Sequence, residues 1–429
     1  MAWEKWESSS SNDKVVSIAG SAAWLAMLFG VAHFLDFSNP YLPFAIAGGL
    51  IFYLRSTPSL REKIIWLLLS AGFALVVHFP HTSSWIITGA SIAALGGLAA
   101  FLMLGWRWIW ADASHRRQSW AMIAPAAALV FFVFSAQRAL SLANLLYPKT
   151  YDLYLYMVDG SLGFQPSFII ARAMAASFVF RMACMVAYLS LPFIMALVCA
   201  FRMPKDAAKP SWDVITLLMA AGIGGWALYN VVPATGPIYA YRNMFPWQAL
   251  PYHMLPRLFL EQIPVDPDAP RNAIPSLHLA WLVLLYWSAK GLSRSLRVFL
   301  GPYFVLTLLA TLGTGEHYFV DLVAGIPFAL FIQALVSPGL KAAFSRRAIA
   351  GSTGLGLTFG WLMLVRYAAK AMLLSRALPW SLVLVTVAVV WMMNSWYSSA
   401  PTQSSGDLTP SAQPNGFFPT KTMAASAKS

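Results

Sequence analysis

Two histidines and an aspartate carry the chemistry open to this sequence. His278 follows Pro275 and Ser276 in RNAIPSLHLAW, and His317 precedes Asp321 in GTGEHYFVDLVAG. Each histidine stands at the start of an apolar run of membrane-helix length, 274–291 and 317–337. On a helix, Asp321 lies one turn beyond His317 and shares its face. A carboxylate placed there holds an imidazole in one tautomer and stabilises its charged form. Proline near the first helical position and serine as a cap make Pro275 and Ser276 a helix start. Such a start offers free backbone N–H groups and a positive dipole end, which favour an anion such as phosphate. One imidazole can attack phosphorus to form a covalent phosphohistidine, and a second can protonate the leaving oxygen. No metal-ligand spacing is visible in the sequence, and this chemistry calls for neither metal nor cofactor.

At these residues the chain resembles a known family. PSLH (Pro275 to His278) and HYFVD (His317 to Asp321) resemble the second and third motifs of the type 2 phosphatidic acid phosphatase superfamily, whose forms are PSGH and SRxxxxxHxxxD. Leu277 and the unbroken HYFVDL resemble the inositol phosphorylceramide synthase branch and its bacterial relatives. The resemblance covers residues 226–335; the front half is similar only in being membrane-embedded. It implies His317 as nucleophile, Asp321 as its partner and His278 as general acid. It further implies a phospholipid or other lipid phosphate as substrate, with an alcohol as acceptor where the group is transferred rather than released.

Phosphoryl transfer also needs positive charge around the equatorial oxygens. The family pattern puts an arginine six residues before the nucleophile, where this chain has Thr311, and the first family motif is not recognisable. The candidate replacements are Arg271, five residues before Ser276, and Arg242 in NVVPATGPIYAYR, followed by Arg181 and Arg138. Ser276 joins them as a candidate substrate-binding residue. Each arginine lies near the outer end of an apolar run, where snorkelling to the interface is the plainer role. Glu316, beside His317, is positioned either to raise the histidine pKa or to bind an acceptor hydroxyl. His33, His78, His81, His115 and His253 have no partner motif and read as structural or interfacial.

Composition sets the frame that must position these groups. The chain is 59% hydrophobic and 10% charged, with a mean hydropathy of +0.63. An ordinary globular domain carries about a quarter charged residues. The expected fold is therefore all-α, a polytopic membrane bundle of about 10–12 transmembrane helices, since a helix satisfies its own backbone in lipid. The net charge of +13 is scattered over short loops, which marks topology and attraction to anionic lipid and argues against nucleic acid as a partner. Cys184 and Cys199 lie in one apolar run and indicate no disulfide framework. No obligate protein partner is evident.

Apolar runs fall at 15–37, 41–54, 63–79, 84–106, 119–137, 174–201, 213–233, 274–291, 297–313, 317–337, 349–372 and 378–397. With the N-terminus inside, alternate loops carry fifteen basic residues against eight, which makes the richer set cytoplasmic and puts both histidines at the outer face of the cell membrane. The chain divides into a cytoplasmic start, 1–14, and a membrane region, 15–212. A catalytic core at 213–337, a hairpin at 338–397 and a disordered tail at 398–429 follow. Residues 138–173, with Tyr151, Tyr154 and Tyr156, read as an amphipathic segment at the interface. The loop 234–273, with seven prolines, reads as a lid or substrate-entry wall. A transporter would suit this number of spans, but the charged residues gather at one face and not at the midplane. A non-catalytic scaffold that has kept the motif is the remaining alternative.

Overall fold

The computed structural model describes residues 39–76, 84–204, 207, 209–336 and 344–399. The segment 1–14, the apolar run 15–37, His33, His78, His81 and the tail beyond residue 399 lie outside them. Within the described residues every apolar run is built mainly of helix, as lipid demands of a backbone without water to bond.

The first helices are α1 (Leu42–Arg55), α2 (Leu60–Val76), α3 (Trp85–Trp110) and α4 (Ala113–Leu146). α1 lies directly on α3, where a Cβ at Gly97 would collide with the backbone carbonyl of Ile46, so the contact requires glycine. At one end of this pair Arg107 of α3 meets Glu62 of α2 in a two-pronged ion pair, Nη2 to Oε2 at 2.6 Å, and donates to Ser56 Oγ at 2.8 Å. A short strand β1 (Lys149–Thr150) leads to α5 (Asp152–Ser161), α6 (Pro166–Ala176), α7 (Phe178–Leu189) and α8 (Leu191–Arg202). Then come α9 (Asp213–Tyr229), α10 (Pro237–Tyr241), β2 (Ile263–Pro264) and α11 (Leu277–Ser288). The last helices are α12 (Arg294–Gly313), α13 (Phe319–Val336), α14 (Phe344–Ala368) and α15 (Ala377–Ser398). α13 is the hub, packed against α9, α11, α14 and α15.

Among the described residues six helices are long and apolar enough to cross a membrane: α3, α4, α12, α13, α15, and α14 with its short 3-10 extension to Leu374. α6 and α7 make a seventh if they form one broken crossing. The molecule is thus an all-α membrane bundle, with fewer full-length spans among the described residues than the apolar runs suggest. The apolar helices α1, α8, α9 and α11 have 10–17 residues, short of the roughly 20 that a crossing needs.

The run 174–201 is not one span. Ser177 takes an extended conformation and accepts from Phe180 N at 3.3 Å, starting α7 afresh after a 119° bend. Pro192 in the first turn of α8 supplies no N–H to continue α7. The expected interfacial segment 138–173 also differs. α4 runs on to Leu146, and α5 is buried along most of its length, Tyr156 and Met157 included. Its polar residues point into the protein because they have partners there. β1 pairs antiparallel with β2, Lys149 opposite Pro264 and Thr150 opposite Ile263, so this segment and the loop 234–273 are tied together.

Candidate active site

α11 begins as the sequence suggests. Ser276 is its N-cap, its Oγ accepting from Leu279 N, and Ser276 N donates to Asp321 O at 2.9 Å. His278 therefore stands in the first turn, buried, with the hydroxyl of Tyr41 3.4 Å from Nε2. Tyr188 of α7 stacks on the imidazole, ring centroids 4.3 Å apart and planes within 18°. The Tyr188 hydroxyl donates to Glu316 Oε2 at 2.6 Å. A phenol anchored at its oxygen and stacked through its face holds the imidazole plane in place.

His317 is reached differently. α13 starts at Phe319, so His317 lies in the loop before it and does not share a helical face with Asp321. The ring is 1% exposed, and its centroid is 5.8 Å from that of His278 at 74°. Nδ1 of His317 lies 2.8 Å from Ala273 O and 3.5 Å from Asp321 Oδ2. A carbonyl only accepts, so Nδ1 carries the hydrogen and the lone pair is on Nε2. The backbone of Ala273 thus makes the short bond that sets this tautomer, with the carboxylate just beyond bonding distance. Asp321 Oδ2 instead accepts from Tyr318 N at 2.7 Å, the reciprocal half of a capping box. Among the described residues Asp321 Oδ1 has no partner.

Two buried carboxylates hold this loop, and the motif reading missed both. Asp159 of α5 accepts from Phe319 N at 2.7 Å and Val320 N at 2.9 Å, capping α13 from another helix. Burial pushes its carboxyl up to about 8, against the pull of those two N–H groups. Asp152 accepts from Gly236 N at 2.9 Å, Thr235 N at 3.1 Å and the Tyr318 hydroxyl at 3.0 Å. Burial raises its carboxyl too, opposed by hydrogen bonds from Thr150, Gly236, Thr235 and Tyr318. Gly236 has φ +100°, and a Cβ there would strike the carbonyl of Glu316. The segment 235–236 consequently lies flat against the histidine loop. Ser167 of α6 completes the frame, its hydroxyl donating to His317 O at 2.8 Å. A visible signal existed: Asp152 and Asp159 are seven apart in DLYLYMVDG, on one face of a helix.

The candidate cations are dispersed. Arg271 is 1% exposed and donates through Nε to Tyr147 O at 2.9 Å and through Nη1 to the carbonyls of Asp266 and Ala269. Burial lowers its pKa, with Asp152 and Asp266 opposing, and among the described residues its Nη2 has no partner. Arg242 is exposed, 3.7 Å from Asp266 and at φ +44°. Arg181 of α7 is exposed with its guanidinium over Phe178, and Arg138 of α4 is exposed over Phe134. Thr311, in the place of the expected arginine, is buried and donates to Thr307 O at 2.7 Å. His115 pairs with Asp112 on the surface, and His253 is exposed in the loop 234–273. Cys184 and Cys199 are free and buried.

Two buried imidazoles thus lie side by side, one of them with its Nδ1 bonded to a backbone carbonyl just before a membrane-length helix. Residues 153–335 match the PAP2 superfamily. The PAP2 match takes in α5 from Leu153 on, so it includes Asp159 as well as His278, His317 and Asp321. It reaches further forward than the two histidine motifs alone suggest. No curated protein and no solved structure matches the chain.

Proposed function

We propose that this protein is a phosphotransferase of the cell membrane. It moves a phosphate-bearing headgroup from a lipid donor to an alcohol through a phosphohistidine, in the manner of the inositol phosphorylceramide synthase branch. The observation that carries the reading is the facing pair of imidazoles, 5.8 Å between ring centroids, with Nδ1 of His317 tied to Ala273 O. In this mechanism Nε2 of His317 attacks phosphorus, and the bond from phosphorus to the lipid oxygen breaks as that oxygen takes a proton from His278. An acceptor hydroxyl then gives its proton to His278 as its oxygen bonds phosphorus and the phosphorus–nitrogen bond breaks. Asp321 steadies the positive charge on His317 from 3.5 Å. Arg271 enters as the phosphate ligand through its unengaged Nη2, and Ser276 offers the start of α11. Arg242, Arg181 and Arg138 are the further candidates for that charge.

Members of the PAP2 superfamily hydrolyse or transfer phosphate groups, which supports the chemistry in either form. Transfer over hydrolysis is favoured by the joining of 138–173 to 234–273, since water at bulk concentration wins unless it is kept out. The loop charge bias supports an extracytoplasmic site. The test is product analysis in detergent with labelled phospholipids and a panel of polyol and lipid-alcohol acceptors. Transfer product is expected for wild type, and a fall of at least about 10⁴-fold for His317→Ala. Free phosphate or free headgroup as the only product with every acceptor would make the enzyme a lipid phosphate phosphatase. Full activity in His317→Ala would remove the nucleophile.

A further inference from the structure

The outer loop between α9 and α11 has two faces. Tyr241, Phe245 and Leu255 turn inward: Tyr241 lies against Tyr156 with ring centroids 5.0 Å apart, Phe245 meets Phe168 at 4.9 Å, and Leu255 is buried. Ile238 N donates to Gly315 O at 2.9 Å, two residues before His317, so the inner face is fixed to the histidine loop. The other set turns outward. Met244, Leu250 and Met254 are exposed, Trp247 is 63% exposed and Phe259 75%. Exposed among them are Arg242, His253 and Arg257. Large apolar side chains left exposed on a segment that is otherwise anchored mark an unfilled contact. Aromatic residues interleaved with arginine are the pairing that suits the boundary of a bilayer, rings among the upper acyl chains and guanidinium at lipid phosphate.

We propose that residues 244–259 lie in the outer surface of the lipid leaflet, with Trp247, Met254 and Phe259 below the headgroups and Arg242 and Arg257 on lipid phosphates. Both ends of the loop return to apolar helices, α9 at Tyr229 and α11 at Leu277, which brings its two ends close to the membrane boundary. A second copy of the chain would equally cover apolar side chains. It would not explain the arginines, for which phospholipid supplies the complementary charge.

The experiment uses the full chain in phospholipid vesicles. Trp247→Cys, Met254→Cys and Phe259→Cys are each spin-labelled, with Asp268→Cys as an exposed control. Cys184 and Cys199 are buried, so the label goes to the introduced thiol. Collisions with oxygen, which concentrates in lipid, are compared with collisions with a water-soluble nickel chelate. The proposal expects oxygen to dominate at 247, 254 and 259, and nickel at 268. Nickel dominance at all four positions would place the loop in water and overturn it. Low collision with both reagents at 247, 254 and 259 would assign the surface to a protein contact and overturn it as well. The readout needs no turnover, so it stands or falls apart from the phosphotransferase reading.

Discussion

Asp159 and Asp266 sit on the two segments that flank the paired histidines, and their surroundings differ in every respect that sets the strength of a charge. Asp159 has no exposed surface, and its oxygens accept from Phe319 N and Val320 N. Asp266 is 53% exposed and lies 3.7 Å from Arg242, itself 65% exposed. Unit charges near 4 Å attract by about 1 kcal/mol in water, and salt screens them further. A buried carboxyl that accepts from two helix N–H groups cannot be replaced there by water, and its loss leaves two donors without partners. The inner wall around Asp159 is therefore fixed by buried hydrogen bonds from one segment to another. The outer loop is held by apolar anchors and a weak ion pair, and its exposed side chains are free to meet a substrate.

Asp159→Ala is expected to break this contrast most visibly. It orphans the N–H groups of Phe319 and Val320, at about 2–4 kcal/mol, and frees the loop that carries His317. The thermal midpoint in detergent should fall, with turnover down at least about tenfold because His317 is no longer held. Asp159→Asn then separates charge from shape. Burial holds the folded carboxyl up at about 8, whereas an unfolded aspartate titrates near about 3.9. Between those values the folded chain keeps a proton that the unfolded chain has released. The contribution of this group is thus fully present below about pH 4 and lost as pH rises through about 8. The wild-type midpoint should decline across that window relative to Asp159→Asn. Parallel curves would show that the carboxyl titrates normally.

The histidine end of the site was legible in the sequence because its parts are local. PSLH announces a cap and an imidazole one turn into a helix, and Ser276 does cap α11. The helices themselves were legible because lipid permits little else. What could not be read is whatever depends on distant chain. Tyr41 and Tyr188 reach His278 from 237 and 90 residues away. The carbonyl that sets the tautomer of His317 belongs to Ala273, and a backbone atom has no sequence signature. Asp152 and Asp159 sat in a stretch whose tyrosines suggested an interface. Periodicity finds the polar face of a helix and does not say whether water or protein meets it. The bend at Ser177 likewise hides in an unbroken apolar run, since serine is tolerated in lipid until its hydroxyl caps a new helix.

Arg271 lies between the two regions, on the loop but buried like the inner wall. Arg271→Lys should cost about 1–3 kcal/mol, because a point charge cannot reach the carbonyls of Tyr147, Asp266 and Ala269 as a planar fork does. Thermal shift with vanadate sharpens the assignment. If Nη2 meets phosphate, vanadate raises the midpoint of wild type more than that of Arg271→Lys. Equal protection would leave Arg271 as a brace for the carbonyls of Tyr147, Asp266 and Ala269 alone.

The smallest effect is expected at Arg242, and its sign is what matters. Arg242 is a non-glycine residue at φ +44°, a conformation that costs about 1–2 kcal/mol for an L side chain. Its exposed pair with Asp266 offsets little of that. A position strained and weakly bonded gives the fold little, and a lipid phosphate is the ligand its charge suits. Arg242→Gly relieves the backbone and should leave the thermal midpoint unchanged or slightly raised, while the apparent KM for an anionic lipid donor rises several-fold and loses part of its salt dependence. Arg242→Ala loses the same charge but keeps the strain, so it should share the KM effect without the gain in stability. If both variants bind donor as wild type does, the outer loop recognises no headgroup at this position, and its contrast with the inner wall is one of rigidity alone.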